Sequence, residues 1–288
     1  MVESTTAPPS PTQPIGAASP VFGAAADGTS GVWAQIDSPA VVATLASAGF
    51  DWVCLDAQHG LFDRAAVVAA LRSGRSETPV VVRVSANSPA EIGAVLDAGA
   101  SGVIVPLVDS VNDARHAVAS TFYPPRGGRS WGPLAGLWNA QVPTAPEANE
   151  RVACAVMIET AGALGAVAGI AAVPGVTMLF VGPFDLALAL GRTLDELLAD
   201  EAVDSPLSVV VAAARDAGIS TGAFGGTPER AALLRRRGFD HVVVATDSGL
   251  LTAGAAAALG AGAAHPSTTG LVATVRELYR TSSGGSPG

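Results

Sequence analysis

The stretch DWVCLDAQHG, residues 51–60, begins as an apolar strand and ends in a group of polar side chains. Asp56, Gln58 and His59 fall within four positions, although only 14% of the chain is charged. An imidazole with an ordinary pKa of about 6.5 suits proton transfer near neutral pH, and a neighbouring carboxylate can assist it. His59 alone is also compatible with a structural role, so its interpretation depends on what lies beside it.

Three further ionisable residues follow apolar runs elsewhere in the chain. Arg83 is the last residue but one of PVVVRV, Glu159 ends ACAVMIE, and Asp185 follows an apolar run in VGPFD. Each alone has an ordinary explanation, since the acids could cap helices and the arginine could pair with either acid. Placing all of these groups at the ends of apolar strands would be costly without a ligand or a metal. We therefore expect them to surround a bound molecule.

Two carboxylates without a nearby thiol or second imidazole favour a hard cation such as Mg²⁺ or Mn²⁺. Glu159 and Asp185 would leave about four octahedral positions for water and substrate. A metal in such an open site can act as a Lewis acid on a carbonyl group.

The composition excludes several classes of function. All 16 residues of the Lys+Arg total are arginines, so no side-chain amine is present to form a Schiff base. A net charge of -9 without a basic stripe argues against nucleic acid as a partner. No apolar run reaches the roughly 18 residues that a membrane span needs. Cys54 and Cys154 lie in expected strands without metal-ligand spacing, which indicates reduced thiols and a cytoplasmic protein.

Strand-like and helix-like segments alternate along most of the chain. The expected strands are residues 31–36, 51–57, 79–84, 102–108, 153–159, 176–182, 219–224 and 241–247. Eight strands, each followed by a helix, predict an α/β fold, a (β/α)8 TIM barrel over residues 29–265. The alternative is a doubly wound open sheet, but the sequence has no GxGxxG motif after the first strand to support it.

The two ends of the chain are predicted to lie outside the barrel. Residues 1–28 are rich in Pro, Ser, Thr, Ala and Gly, which is typical of a disordered tail. Residues 266–288 are expected to form an additional C-terminal helix with a frayed end, which could cap the barrel or dock on a neighbouring subunit. Because active sites of TIM barrels lie at the C-terminal ends of the strands, the polar strand ends should meet at one mouth.

Several long segments, in order, resemble the HpcH/HpaI family of metal-dependent pyruvate aldolases, which includes 4-hydroxy-2-oxoheptanedioate and 2-dehydro-3-deoxyglucarate aldolases. They are GVWAQIDSPAVVATLASAGFDWVCLDAQHG, VVVRV, VLDAGASGVIVPLV, FYPPRGGRSWGP, MIET and LFVGPFDLALALG. The resemblance extends from about Gly31 to Leu250 and implies reversible aldol cleavage of 4-hydroxy-2-oxo acids to pyruvate and an aldehyde.

The resemblance also implies roles for individual residues. Glu159 and Asp185 would bind Mg²⁺, Mn²⁺ or Co²⁺, and Arg83 would contact the C2 oxygen of pyruvate. Gly182 and Pro183 would place backbone amides near the pyruvate carboxylate.

The implied acid/base is His59, helped by Asp56 and by Asp97 of VLDAGA. In the family the latter acid comes from an adjacent subunit, and members are commonly hexamers, so a homo-oligomer is expected. Gln58 would contact substrate, although the family often has Glu there. Met157 also departs from the family, which often has Gln at that position.

Three alternatives remain open at this stage. One is other enolate chemistry, such as oxaloacetate decarboxylation or malyl- or citramalyl-CoA cleavage, with Arg126 and Arg129 as the candidate contacts for coenzyme phosphates. Another is a barrel for phosphorylated substrates, using the loops after strands seven and eight, where Asp247 would repel a phosphate. The third is a non-catalytic binding homologue.

Overall fold

Eight parallel strands close into a barrel in the computed structural model of the protein, which describes residue 22, residues 28–73 and residues 77–260. The strands β1 to β8 are Thr29–Ala34, Trp52–Asp56, Val80–Arg83, Gly102–Val105, Ala153–Ile158, Met178–Val181, Ser220–Phe224 and His241–Thr246. Strand β1 pairs with both β2 and β8, so the sheet has no free edge. The predicted (β/α)8 barrel is confirmed.

Helices follow every strand. The α-helices α1 to α12 are Pro39–Ser47, Arg64–Ser73, Pro89–Asp97, Val111–Thr121, Ala145–Arg151, Ala161–Gly165, Val167–Ala171, Pro183–Ala189, Leu194–Ala199, Pro206–Ala217, Pro228–Arg236 and Asp247–Ala258. A 3-10 helix, Leu134–Trp138, lies in the long connection between α4 and β5.

Ser-Pro pairs start three of these helices for a local reason. Proline at the first helical position has the backbone angle a helix needs and has no N–H group to satisfy. The serine before it can then accept a hydrogen bond from the first turn, as Ser38 does from Val41 N and Ser205 does from Ser208 N.

The strand side chains divide into two apolar layers. Alternate residues face opposite sides of a strand, so one set fills the barrel and the other packs beneath the helices. The inner set includes Trp33, Trp52, Cys54, Val81, Ile104, Ala153, Ala155, Met157, Met178, Phe180 and Val243, and Phe22, which precedes β1, packs in the same cluster. The outer set contains the residues between them, such as Val53, Leu55, Val82, Val156 and Leu179. This alternation decides which strand-end residues can face the mouth of the barrel.

The two cysteines belong to different layers, Cys54 inside the barrel and Cys154 beneath the helices. Both are fully buried and free. Burial raises the pKa of Cys154 to about 11 and raises that of Cys54 well above its ordinary value. Both therefore stay protonated and serve as packing groups.

The predicted end segments fall largely outside the described residues. Of the predicted tail 1–28, the structure describes Phe22 and Gly28, and Phe22 packs against Trp52 and His241 in the inner layer. The predicted C-terminal helix in 266–288 lies entirely outside the described residues. Met1–Asp247 and Ser248–Gly288 are separate units, and the described part of the second is mainly α12. In the part of the chain that is described, no helix is long and apolar enough to cross a membrane.

Candidate active site

The polar strand ends face the barrel axis because of their position in the strands. Asp56 is two residues beyond Cys54, and Arg83 is two residues beyond Val81, so both continue the inward-facing set. Glu159 follows Met157 in the same way, one residue past the end of β5. These three side chains lie at the C-terminal end of the barrel, and all three residues are buried.

Asp56 and Arg83 form a buried, two-pronged ion pair across neighbouring strands. Arg83 Nε donates to Asp56 Oδ1 at 2.9 Å, and Nη2 donates to Oδ2 at 2.6 Å. The pairing of β2 with β3 sets this geometry, because Asp56 and Arg83 are direct register partners. A two-pronged pair fixes the plane of the guanidinium as well as its position. Nη1 donates to no acceptor in the described chain, so it is available to a ligand.

The Asp56 carboxylate has its acceptor positions filled. Besides Arg83, Oδ1 accepts from the backbone N–H groups of Gln58 and His59, and Oδ2 accepts from Trp33 Nε1 at 3.0 Å. Burial by itself would raise the pKa of Asp56, but the bonds and charge of Arg83 outweigh it and lower the pKa. Asp56 thus contacts His59 through the backbone N–H, and its carboxylate holds Arg83. The expected assistance of Asp56 to the His59 imidazole stays a prediction.

Gln58 and His59 follow Asp56 in the turn after β2. His59 is exposed at the barrel mouth. Gln58 is half-buried, and its Oε1 is a buried acceptor that has no hydrogen-bond partner among the described residues. A buried acceptor without a donor is unfavourable, so this oxygen is suited to a hydroxyl group of a ligand.

Glu159 is held by two backbone features that the sequence did not reveal. Its Oε1 accepts from Leu107 N at 2.8 Å. Leu107 has a φ of 54°, a left-handed conformation that is unfavourable for leucine and that directs its amide at the carboxylate. On the other side, a Cβ at Gly182 would lie 2.9 Å from Glu159 Oε2, so a larger residue there would displace this oxygen.

Glu159 and Asp185 lie on one rim of the barrel, after the paired strands β5 and β6. Burial raises the pKa of Glu159, and the Asp185 charge raises it further. Two carboxylates that repel each other at an open mouth are the donor set that a hard divalent cation would stabilise. The described residues contain no group of three or more His, Cys, Asp or Glu that could hold a metal. A cation held by Glu159 and Asp185 alone would keep coordination positions open for water and substrate.

Comparison with known proteins identifies the family. The family model HpcH/HpaI aldolase/citrate lyase matches residues 29–253, most of the chain. The chain belongs to the HpcH/HpaI aldolase/citrate lyase family. The resemblance inferred from the motifs is thereby confirmed.

Characterised relatives and a solved structure of the HpcH/HpaI family agree with this assignment. A hydroxypyruvate/pyruvate aldolase of Paraburkholderia phytofirmans is 35% identical over 226 residues, covering 75% of this chain and 86% of the relative. A 2-dehydro-3,6-dideoxy-6-sulfogluconate aldolase of Pseudomonas putida is 32% identical over 229 residues, covering 77% and 87%. The crystal structure of an HpcH/HpaI aldolase/citrate lyase family protein from Burkholderia cenocepacia J2315 superimposes with a TM-score of 0.73 and 33% identity, covering 81% and 94%. The expectation of a carbon–carbon lyase of the aldolase class is confirmed.

Gly182, Pro183 and Met157 lie next to Glu159 or just after β6. Pro183 has no N–H group, so of the pair Gly182 and Pro183 only Gly182 has a backbone donor, which corrects the expected role of Pro183. Met157 is 2% exposed, and its Cε would lie 3.0 Å from a Cβ at Gly182. An apolar thioether thus lies beside the Glu159 carboxylate, where the family often has an amide.

Asp97 lies away from the other expected site residues of its own chain. It is the last residue of α3, and barrel helices run opposite to the strands, so it is at the N-terminal end of the barrel. There Asp97 Oδ1 accepts from the buried Arg129 at 2.6 Å. Within one chain, the structure therefore brings His59, Asp56, Arg83 and Glu159 together but not Asp97.

The three residues that bear on the rival ligands all have partners within the chain. Arg126 donates to Asn149 O at 2.9 Å, and Arg129 binds Asp97, so neither forms a strip for coenzyme phosphates. Asp247 is buried and accepts from the backbone N–H groups of Gln35 and Ile36, which fixes the loop after β1. The arginine contacts weaken the coenzyme-thioester alternative. The Asp247 contacts bear only on the expected repulsion of phosphate, because they place that carboxylate in the barrel wall with backbone partners.

Proposed function

We propose that this protein is a divalent-metal-dependent pyruvate aldolase that cleaves 4-hydroxy-2-oxo acids reversibly into pyruvate and an aldehyde. The observation that carries the proposal is the buried Arg83, held by Asp56 on the same barrel mouth as the carboxylates of Glu159 and Asp185. Relatives named as pyruvate and sugar-acid aldolases support it.

Glu159 and Asp185 would hold the cation, Mg²⁺, Mn²⁺ or Co²⁺. When bound, it would supply Lewis acidity to the 2-oxo group of the substrate. Leu107 N–H and the space at Gly182 keep the Glu159 carboxylate in place for this role.

Arg83 stabilises the negative charge that grows on the C2 oxygen as the C3–C4 bond breaks. Its Nε and Nη2 are used by Asp56, so Nη1 is the donor left for that oxygen. Because Asp56 holds the guanidinium before substrate arrives, no reorganisation is needed when the charge develops. The absence of lysine from the chain is consistent with this route, since no side-chain amine can serve as the electron sink.

His59 would exchange the proton of the C4 hydroxyl group. Its exposed imidazole at the end of β2 is open to a substrate in the mouth, and its backbone is fixed by Asp56 Oδ1. The unpaired Gln58 Oε1 beside it would accept a hydrogen bond from a substrate hydroxyl.

We propose a homo-oligomer in which Asp97 of one subunit assists His59 of the next. Asp97 lies at the opposite end of its own barrel, so it can act on His59 only from another copy. We also propose that the enzyme works in the cytoplasm, which the two free thiols support.

Mixing two inactive variants tests the shared site. His59→Ala and Asp97→Asn should each lose most activity alone. If every site combines His59 of one subunit with Asp97 of another, unfolding and refolding an equal mixture should restore about a quarter of the sites. Asp113→Asn, a change in the cap of α4, is the matched control and should stay active without mixing. A mixture as inactive as its components would contradict the shared site.

The reaction itself is tested by substrate panels. We expect pyruvate release from 4-hydroxy-2-oxo acids, measured by coupled lactate dehydrogenase, to exceed turnover of malyl-CoA or citramalyl-CoA by at least about 10²-fold. The reason is that Arg126 and Arg129, the candidate contacts for coenzyme phosphates, are engaged within the described part of the chain. Oxaloacetate decarboxylation is measured in parallel, since it needs the same stabilised enolate. Faster thioester cleavage would favour the lyase alternative. Metal binding with no deuterium exchange into the pyruvate methyl group would favour a binding protein.

A further inference from the structure

Trp33 lies directly beneath the Asp56–Arg83 pair. It belongs to β1, is 2% exposed and points into the barrel. Its indole Nε1 donates to Asp56 Oδ2 at 3.0 Å. The Arg83 Cζ atom lies 5.1 Å from the centroid of the Trp33 ring. One indole therefore contacts both members of the ion pair through different parts of its surface.

The indole is itself held in place by two aromatic neighbours. Phe180 stacks on it with ring centroids 5.7 Å apart and planes at 27°. Phe224 meets it edge-on at 5.4 Å and 83°. Such pairs have preferred geometries, so the ring has little freedom to rotate or shift. A fixed indole in turn restricts the positions of the Asp56 carboxylate and the Arg83 guanidinium.

We propose that Trp33 is a positioning residue for the aldol reaction, which sets the orientation of the Arg83 guanidinium through Asp56 and through its own ring face. The inference rests on the role of Arg83 in the proposed function. Trp33 does not reach the reacting atoms in this account and acts through Arg83.

The physical reason is that Asp56 alone leaves the ion pair free to tilt as a unit. The two prongs fix Arg83 relative to the carboxylate, but the carboxylate needs its own anchors. Backbone N–H groups of Gln58 and His59 hold Oδ1, and Trp33 is the additional donor to Oδ2. The ring face below the guanidinium offers a favourable cation–π contact and blocks movement into the barrel. A displacement of about 1 Å at such a site can cost about 10²-fold in rate.

The alternative is that Trp33 only fills the barrel, and Trp52 provides the matched control. Trp52 belongs to the same inner cluster, is 1% exposed and also uses its indole N–H, donating to Thr29 Oγ1 at 3.0 Å. Its register partner is Gly31, two residues before Trp33 on β1 and closer to the N-terminal end of the barrel. A pure packing role would make the two tryptophans equivalent in their effect on activity.

The experiment compares Trp33→Phe with Trp52→Phe in the complete protein. Both should lower the melting temperature, because each loses a buried indole and its hydrogen bond. Only Trp33→Phe should lower kcat for pyruvate release, by about 10- to 100-fold, with a smaller change in KM. Deuterium exchange into the pyruvate methyl group should fall in parallel, since it needs the same Arg83 contact. Equal kcat values for the two variants would overturn the inference.

A double-variant cycle shows whether Trp33 acts through Arg83. Adding Trp33→Phe to Arg83→Lys should cost little further exchange activity, because the group being positioned is already gone. Additive losses would show that Trp33 acts independently and would overturn the inference. Full activity of Arg83→Lys would instead refute the proposed role of Arg83 itself, so the two failures are distinguishable.

A tryptophan analogue of the same shape provides a second test, to be used if Trp33→Phe does not fold. Benzothienylalanine at residue 33 has the shape of tryptophan with sulfur in place of the indole N–H, so the stacking on Phe180 is retained. We expect a near-normal melting temperature and a kcat lowered by about 10-fold, the effect of one lost orienting hydrogen bond. A wild-type kcat in the protein that carries benzothienylalanine at residue 33 would overturn the inference.

Discussion

Replacing Arg83 with lysine is expected to lower kcat for pyruvate release by about 10²- to 10³-fold, the usual cost of losing a positioned donor to a developing oxyanion. Lysine keeps the charge but cannot bind Asp56 with two prongs and still present a third nitrogen to substrate. The loss should therefore appear mainly in kcat, measured with saturating 4-hydroxy-2-oxo acid. Stability should fall as well, because Asp56 would be buried with fewer partners.

The control for Arg83→Lys is the same change at another arginine–aspartate pair. Arg192 binds Asp200 at 2.6 Å on the surface, and both side chains are partly exposed. Arg192→Lys should leave kcat within about twofold of wild type, since exposed pairs contribute little. Near-normal kinetics in Arg83→Lys, with the Arg192 control behaving as expected, would remove Arg83 from the reaction.

Most of the barrel could be predicted from the sequence because strand and helix signals repeat. Each apolar run marks one strand, and Ser-Pro pairs mark the start of three helices. Eight repeated strand–helix units leave few ways to fold. Between β5 and β6 the structure has two short helices, Ala161–Gly165 and Val167–Ala171. The short helices Ala145–Arg151 and Leu194–Ala199 were not predicted. Each has a Thr–Glu capping box, a local signal that could have revealed it.

The inward direction of three candidate residues could be predicted, but the contacts between them could not. Alternate strand residues share a face, so Asp56, Arg83 and Glu159 face inward like Cys54, Val81 and Met157, each two residues earlier. By the same rule Trp33 shares the face of Gly31. Which acid takes Arg83 depends on the register of β2 against β3, which no local pattern encodes. The Leu107 amide was missed because a left-handed leucine has no sequence signature. Asp97 could not be placed from spacing, since α3 carries it to the far end of its own barrel.

Removing the metal is expected to abolish activity completely. Treatment with EDTA should end pyruvate release, and Mg²⁺, Mn²⁺ or Co²⁺ should restore it. Calorimetric titration of the demetallated protein with Mn²⁺ should show a binding site that is lost in Glu159→Gln. The matched control is Glu147→Gln, which removes an exposed carboxylate from the capping box of α5 and should bind Mn²⁺ as wild type does.

Stability provides a second measurement that does not depend on turnover. Because the folded state raises the pKa of Glu159, it binds that proton more tightly than the unfolded chain. Stability therefore falls as the pH rises above the ordinary carboxyl pKa, until Glu159 is fully ionised. Without metal at neutral pH, Glu159→Gln should be at least as stable as wild type, since it removes a buried charge that Asp185 repels. With Mn²⁺ at about 100 times its Kd, only wild type should gain stability, by about 2.7 kcal/mol. A variant that is less stable without metal and still stabilised by Mn²⁺ would show that Glu159 supports the fold and that the cation binds elsewhere.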